Sequence, residues 1–462
     1  MGDAGNVVSI TAEAAKGLET LPFLKTFTAE AFYYIAGVLM LLIHVGFLAY
    51  EGGASRSKNL LATMLKNLMT LATVGLTFFF FGWWVYNGFP LWPATGPLMG
   101  PWTNPDALSE AAKGAFALVP ASYPWSESLS PTKSDEFTGV FWLVFALFAM
   151  TTASILSGAC IERIKVGAYY ILSIILGSFL WVVAAAWGWN YFGWFTQLWG
   201  FHDFGCAVVV HTVAGWFALG VLINLGPRIG KYDAAGKPKP ILPHNISLTL
   251  VGLMLIFVGF YFFLACCLVY LPDYASIVNI YGSPSTLSML AVNTTLALAA
   301  GLIGAYTSSK ADPFFTISGG LTGIIAVAAG MDLYHPALII VIAFVCAWIM
   351  PKVAMFVERI GIDDAVGAFA VHGMTGTISG ILPGIFAAGY IAQPGQGAIN
   401  LMGQIYGTAI CAILLGFIPG YVVSFVLKLF GLLRVDAETE AKGLDVSELG
   451  VEAYPEAAAI KG

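Results

Sequence analysis

Charge is scarce in this chain. Asp, Glu, Lys and Arg make up 10% of its 462 residues, against about 25% in an average soluble domain. With 58% hydrophobic residues and a mean hydropathy of +0.83, a water-soluble fold could not hide its apolar side chains, which excludes a cytosolic enzyme. Basic residues are also few. Twenty Lys+Arg against 26 Asp+Glu leave a net charge of −6, which gives nucleic acid no footprint. The same numbers exclude disorder. Cysteine is sparse. Cys160, Cys206, Cys266, Cys267, Cys346 and Cys411 all fall in or beside apolar runs, so reduced buried thiols are expected and no disulfide framework or zinc spacing is visible. Alternating ten-residue strands are missing, which argues against a transmembrane β-barrel. Residues 1–30 lack the basic start, apolar core and cleavage site of a signal peptide.

What the chain has is long apolar runs. A helix needs about 20 apolar residues to cross the hydrocarbon of a bilayer. Eleven stretches qualify: about 31–50, 62–85, 138–160, 167–189, 204–225, 246–270, 286–307, 314–332, 336–356, 366–390 and 403–430. Basic residues fix their direction. Arg56 and Lys58 follow the first span, Arg163 and Lys165 the third, and Arg228, Lys231, Lys237 and Lys239 the fifth. Lys310 follows the seventh, Lys352 and Arg359 the ninth, and Lys428, Arg434, Lys442 and Lys461 the last. The intervening loops carry no Lys or Arg, or dilute it with acid, as the Pro-rich 90–137 loop does. This alternation predicts an all-α polytopic membrane protein with its N-terminus outside and its C-terminus inside. The expected organisation is an extracellular N-terminal segment (1–30), a membrane domain (31–432) and a cytoplasmic tail (433–462).

An internal repeat carries the functional reading. Asp203-FGCAVVV-His211-TVA-Gly215 matches Asp364-AVGAFAV-His372-GMT-Gly376: Asp eight residues before His, Ala four before, Val one before and Gly four after. One copy opens span five and the other span ten. The two helices therefore run in opposite directions, and spans 1–5 and 6–10 form two inverted repeats (about 31–226 and 246–391), with the last helix (about 403–432) left over. Each His lies about 12 Å along its helix from the Asp, close to mid-membrane. An intramembrane ionisable group is expensive and marks a pathway. A single buried His is ordinarily a packed residue with both nitrogens satisfied, which is the reading for His44; two repeat-related histidines are harder to explain that way. His202, His244 and His335 sit at span ends, where a surface or capping role is the default.

Paired neutral imidazoles can share and relay a proton, chemistry suited to a small protic solute rather than an alkali ion. Asp203 and Asp364 stand at helix N-termini, where they can cap backbone N–H groups. Trp187, Trp189, Trp194 and Trp199 form either an interfacial belt or a cation–π cradle. Phe148 and the run Phe260-Tyr261-Phe262-Phe263 could gate a narrow pore or simply pack.

Further motifs run in order along the chain. Gly46-Phe leads to Glu51-Gly-Gly-Ala-Ser-Arg56-Ser-Lys58-Asn59, then Lys66-Asn67. Gly158-Ala-Cys-Ile-Glu162-Arg163 closes span three, Pro243-His244-Asn245 opens span six, and Asp363-Asp364 precedes Val371-His372-Gly373. At these residues the chain resembles the ammonium transporter (Amt/Mep/Rh) superfamily, on its Amt side. The resemblance implies eleven spans, a homotrimer with one hydrophobic pore per subunit in the inner (cytoplasmic) membrane, and no cofactor. It implies recruitment of ammonium at an outer aromatic site, deprotonation, and passage of ammonia past a twin-histidine pair. Trp189, Asp203, Phe148 and Cys267 take the recruitment positions, Phe148 and Phe263 the gate, and His211 and His372 the pair. The tail resembles a regulatory segment and implies docking of a PII-type signalling protein. Departures cluster at the outer site: Phe260, Leu264, Cys266 and Cys267 replace a family pattern of Trp, Asn, Gly and Ser. Alternatives are an ammonium receptor with little transport, a passive gas channel, or, as an enzyme-class reading, a redox protein with His211 and His372 on a haem.

Overall fold

In the computed structural model, residues 24–456 are described except 101, 118, 120–137 and 271–275. Ten helices are long and apolar enough to cross a membrane: α1 Leu24–Ala54, α2 Ser57–Gly88, α3 Gly139–Ala159, α4 Val166–Gly188, α5 Ala207–Leu225, α6 Ile246–Ala265, α7 Leu287–Ser309, α9 Pro336–Arg359, α10 Phe369–Phe386 and α11 Leu401–Leu429. Between α7 and α9 stands a shorter apolar helix, α8 Pro313–Ala328. Ten spans of this kind make the chain a multi-pass membrane protein.

Helix starts are specified locally. A backbone N–H without a partner costs several kcal/mol in hydrocarbon, so the free donors of each first turn need an acceptor. Asn245 caps α6 through Leu248 N (2.9 Å), and Thr286 caps α7 through Met289 N (3.1 Å). Asp312 caps α8 through Phe315 N (2.9 Å), with Pro313 in the first turn. The His335 ring accepts from Ala337 N (3.2 Å) ahead of Pro336.

Some boundaries differ from the sequence expectation. Residues 24–30, expected in the external segment, are the opening turns of α1. The sixth helix stops at Ala265 rather than near 270, because Leu268–Val269 (β1) pairs antiparallel with Val278–Asn279 (β2), and Tyr33 donates to the Leu268 carbonyl (2.7 Å). The helix expected over 314–332 ends at Ala328, since Gly330 to Tyr334 form a turn. Its 16 residues reach about 24 Å. Most of residues 1–30, and 120–137 of the Pro-rich loop, lie outside the described residues. The rest of that loop folds over the bundle through Leu91, Met99, Ala112, Ala115 and Val119, packed on Trp84 and Phe192.

Glycine allows the helices to touch. A Cβ on Gly46 of α1 would stand 2.6 Å from the Gly252 carbonyl of α6, and one on Gly53 would stand 2.6 Å from the Asn245 carbonyl. Close backbone approach replaces the hydrophobic driving force that helices lack in lipid. The chain after α11 returns to the end of the bundle that holds the α1–α2 and α5–α6 loops. Asp445 accepts from Leu61 N (3.0 Å) and Ala62 N (2.8 Å), Asn59 accepts from Leu444 N (2.9 Å), and Glu440 accepts from Ile229 N (2.6 Å).

Candidate functional site

Asp203 precedes α5 and Asp364 precedes α10, and each turns its carboxylate back onto its own helix. Asp203 accepts from Val208 N and Val209 N (2.9 Å each). Asp364 accepts from Ala368 N (2.9 Å) and Phe369 N (2.7 Å). Both helices open with wide i→i+5 turns, Ala207–Thr212 and Phe369–Met374, a geometry that often accompanies function. Each wide turn carries one of the histidines. Thr212 and Thr375 donate back five residues, to the Ala207 and Ala370 carbonyls (3.2 and 2.9 Å).

The two helices cross antiparallel, because Arg228, just beyond α5, grips Asp363, just before α10. At the crossing the glycines four residues past each His leave room for the other backbone. A Cβ on Gly215 would stand 3.0 Å from the His372 carbonyl carbon, and one on Gly376 would stand 2.7 Å from the Thr212 hydroxyl. That approach brings His211 Nδ1 to 3.0 Å from His372 Nδ1, with ring planes 20° apart. A 3.0 Å N···N contact holds a single proton: one ring donates and the other accepts. The outer nitrogen of each ring is then free for another partner. His211 Nε2 is buried with none among the described residues.

Aromatic rings lead to the pair from the Asp203 end. Trp189 is fully buried, and its indole donates to the Phe204 carbonyl (2.9 Å). Its ring lies 5.2 Å from Phe148, and Phe148 lies 4.1 Å from Phe263. Phe263 follows at 6.2 Å from His211. Rings this close leave no path for a hydrated ion. Phe260, which the sequence offers as a departure and as part of a possible gate, stacks on His211 (5.8 Å, 19°). Leu264 is fully buried and fills the space beside Gly205, where a Cβ would stand 2.7 Å from its Cδ2. The Cys267 thiol points back to its own helix and donates to the Phe263 carbonyl (3.5 Å). Cys266 is also buried. Asp203 uses Oδ2 for capping, while Oδ1 is buried without a partner among the described residues.

Some neighbours were not legible beforehand. Phe145 and Tyr86 complete the aromatic box around Trp189, with Phe145 5.3 Å from it and the Tyr86 hydroxyl donating to its carbonyl (2.9 Å). Tyr281 accepts from Asp203 N (2.9 Å). His202 is buried, not at the surface, and its Nε2 lies 3.1 Å from the Asp332 carboxylate. His44 is a packed residue beside Thr151 (3.5 Å). His335 caps a helix as expected, and His244 meets the Ser55 carbonyl (2.8 Å) and the Tyr454 hydroxyl (3.1 Å).

The opposite end of the site is held by charge. Asp363 takes a two-pronged grip from Arg228 (2.8 and 2.9 Å), and Arg163 donates to its carbonyl (2.6 Å). Arg56 meets Glu162 (2.6 Å). Burial alone would raise the Asp363 carboxyl, but the Arg228 hydrogen bonds and the two guanidinium charges hold it well below the ordinary carboxylate range. Three of the four loops in this network carry Lys or Arg, and the fourth, before α10, follows Arg359 at the end of α9.

The whole-chain comparisons agree with one another. The Ammonium Transporter Family model matches residues 31–454. The ammonium transporter Amt2 of Methanocaldococcus jannaschii is 32% identical over 93% of this chain and 92% of its own length. The ammonium transporter of Bacillus subtilis is 30% identical over 92% and 97%. Among solved structures, one described as a sensor Amt protein superposes with a TM-score of 0.73 at 26% identity, covering 92% of this chain and 99% of its own. Mep2 from Candida albicans shares the fold at 21% identity, with a TM-score of 0.66 over 89% and 86%.

Proposed function

Because the chain belongs to the ammonium transporter family, we propose that it transports ammonium across the cytoplasmic membrane by stripping the cation of its proton and passing ammonia along a pore lined by His211 and His372. The observation that carries this reading is the shared-proton pair, with Nδ1 atoms 3.0 Å apart and an unpartnered nitrogen on His211 aimed away from its partner. An ammonium ion first meets the faces of Trp189 and Phe148, whose negative quadrupoles favour a cation. The free Asp203 Oδ1 supplies negative potential at that mouth. The ion cannot pass the closed Phe148–Phe263 contact with its hydration shell, so neutral ammonia is the species that fits beyond it.

The imidazole pair then relays. A proton taken at one outer nitrogen moves the central proton across and frees another at the far ring, so the pair returns to its starting composition with its tautomers exchanged. Eleven crossings, with α8 as the short eighth, and two inverted five-helix halves fit the reciprocal Asp caps, wide turns and glycine contacts of α5 and α10. The Lys/Arg-bearing loops gathered at the Asp363 end favour a cytoplasmic side for that end and for the chain beyond α11. Assembly as a homotrimer and PII-type docking at that tail belong to the same reading.

The test is ammonium-evoked current in proteoliposomes. Folded, trimeric protein that gives neither current nor flux would sink the proposal. A second reading, a receptor that binds ammonium and conducts it poorly, draws on Leu264 and Phe260 crowding the site and on the likeness to a sensor Amt protein. Tight binding without flux would favour it. On the transport reading, Leu264→Asn restores an acceptor at the mouth, worth one charge-assisted hydrogen bond of about 1.5 kcal/mol. The ammonium concentration giving half-maximal current should fall about tenfold. No change would show that Leu264 does not limit recruitment.

A further inference from the structure

Beyond the histidine pair, toward the Asp363 end, lies a small cavity with roughly 20 Å³ open to the centre of a water-sized molecule. That is room for one water or one ammonia. His372 lines it together with Phe47, Leu253, Ile256, Ser318 and Glu51. Since His372 Nδ1 is taken by His211, Nε2 is the polar atom His372 has left for this space. Glu51 is a carboxylate in α1 with no exposure at all.

Both of its oxygens have polar partners. Ser157 donates its hydroxyl to Oε1 and Asn67 donates its amide to Oε2 (2.8 Å). The same Ser157 proton has two other acceptors within reach, Asn67 Oδ1 (3.0 Å) and the Ser154 carbonyl (2.7 Å). The buried Lys66 ammonium donates to the Ser157 carbonyl (2.9 Å) and lies over the Tyr169 ring, a compensating charge one residue away from Glu51. Burying an acid and an amine together costs several kcal/mol per ion before their attraction is counted. The position matches a functional need: a carboxylate facing the same cavity as the second histidine.

Resting on the transport reading above, we infer that Glu51 accepts the proton that leaves the histidine pair and returns it to ammonia in this cavity, so that ammonium re-forms inside the protein. The steps balance. Ammonium loses one proton to the free nitrogen of His211. The pair releases one proton from His372 through the cavity molecule to the Glu51 carboxylate. Ammonia arriving in the cavity takes that proton back, and the carboxylate regains its charge. One positive charge then crosses per nitrogen transported, although the nitrogen passes the rings as a neutral molecule. Lys66 is a positioning residue here, keeping the empty carboxylate ionised and ready.

The experiment reads charge and nitrogen separately in the same vesicles: ammonium-evoked current, and ammonia permeation from internal alkalinisation. In Glu51→Gln the current should fall at least tenfold while ammonia permeation stays within about twofold of wild type, and Glu51→Asp should recover part of the current. Full current in Glu51→Gln would overturn the inference. Loss of both signals in protein of unchanged melting temperature would also overturn it, by making Glu51 a structural residue. A silent wild type would instead sink the transport reading itself. An independent check needs no loss-of-function variant. Ammonium should perturb the carboxylic C=O stretch of a buried acid in the wild-type infrared difference spectrum, and Glu51→Asp should shift that band. A spectrum without the band would contradict the assignment.

Discussion

Replacing His211 by alanine should cut the ammonium-evoked current by about a hundredfold, the lower range of what a positioned proton-transfer group contributes. The 3.0 Å Nδ1–Nδ1 contact is lost, and His372 is left without its partner. His372 alone then stands between the Phe263 gate and the cavity, with no second imidazole to hand it a proton from the ammonium side. The cost to folding should be small beside this, because one neutral hydrogen bond contributes about 1 kcal/mol and the helix crossing is set by Gly215 and Gly376 rather than by the rings. His372→Ala should behave alike, and the double variant should be little worse than either single one, since the pair works as a unit. Current measured beside the melting temperature separates the two effects. A variant that keeps most of its current would mean the rings only pack.

The largest effect on stability is expected at the opposite end, from Asp363→Asn. Arg228, Arg163 and Asp363 have side chains that are 4%, 0% and 0% exposed. Removing the carboxylate strands two guanidinium groups beside each other. Breaking such a buried pair costs about 3–5 kcal/mol. The loops that follow α3 and α5 and the one that precedes α10 all meet at these residues, so the loss should appear as a drop in melting temperature and in recovery of folded protein. The pH dependence has a definite sign. Asp363 is held below its ordinary pKa, so its contribution is present above the unfolded carboxylate value of about 4. It is lost as pH falls through that range toward the lower folded value. Wild-type stability should therefore decline on acidification, and Asp363→Asn should flatten that slope. An unchanged slope would place the acid sensitivity elsewhere.

Much of the site could be read in the sequence because it obeys a repeat. Asp203 and Asp364, His211 and His372, and Gly215 and Gly376 share one spacing, and that spacing by itself puts cap, ring and crossing point on one helix in each copy. The wide turns at Ala207–Thr212 and Phe369–Met374 were hidden, since hydrophobic periodicity does not register one extra residue per turn. The Glu51–Lys66 neighbourhood was hidden for a different reason. Its members come from α1, α2 and α3, and Lys66 in an apolar run reads as an oddity until Ser157 is seen beside it. Phe260 stood out as a substitution, but only its stacking on His211 says what it does. Helix ends at Ala265 and Ala328 were overrun because apolar residues continue past them into a hairpin and a turn, where burial rather than helicity accounts for the hydrophobicity. His202 was misplaced at the surface because its partner Asp332 is 130 residues away.

If the protonated species is recognised and the neutral one crosses, ammonium and potassium should be told apart. The most direct measurement compares currents evoked by ammonium and by potassium at equal concentration in one batch of proteoliposomes. The two cations have similar size and charge, but only ammonium can leave its proton behind. A saturable ammonium current is expected, with no potassium current above that of protein-free vesicles. Comparable currents from both ions would contradict it, because an alkali ion can pass only if the pore conducts the intact cation.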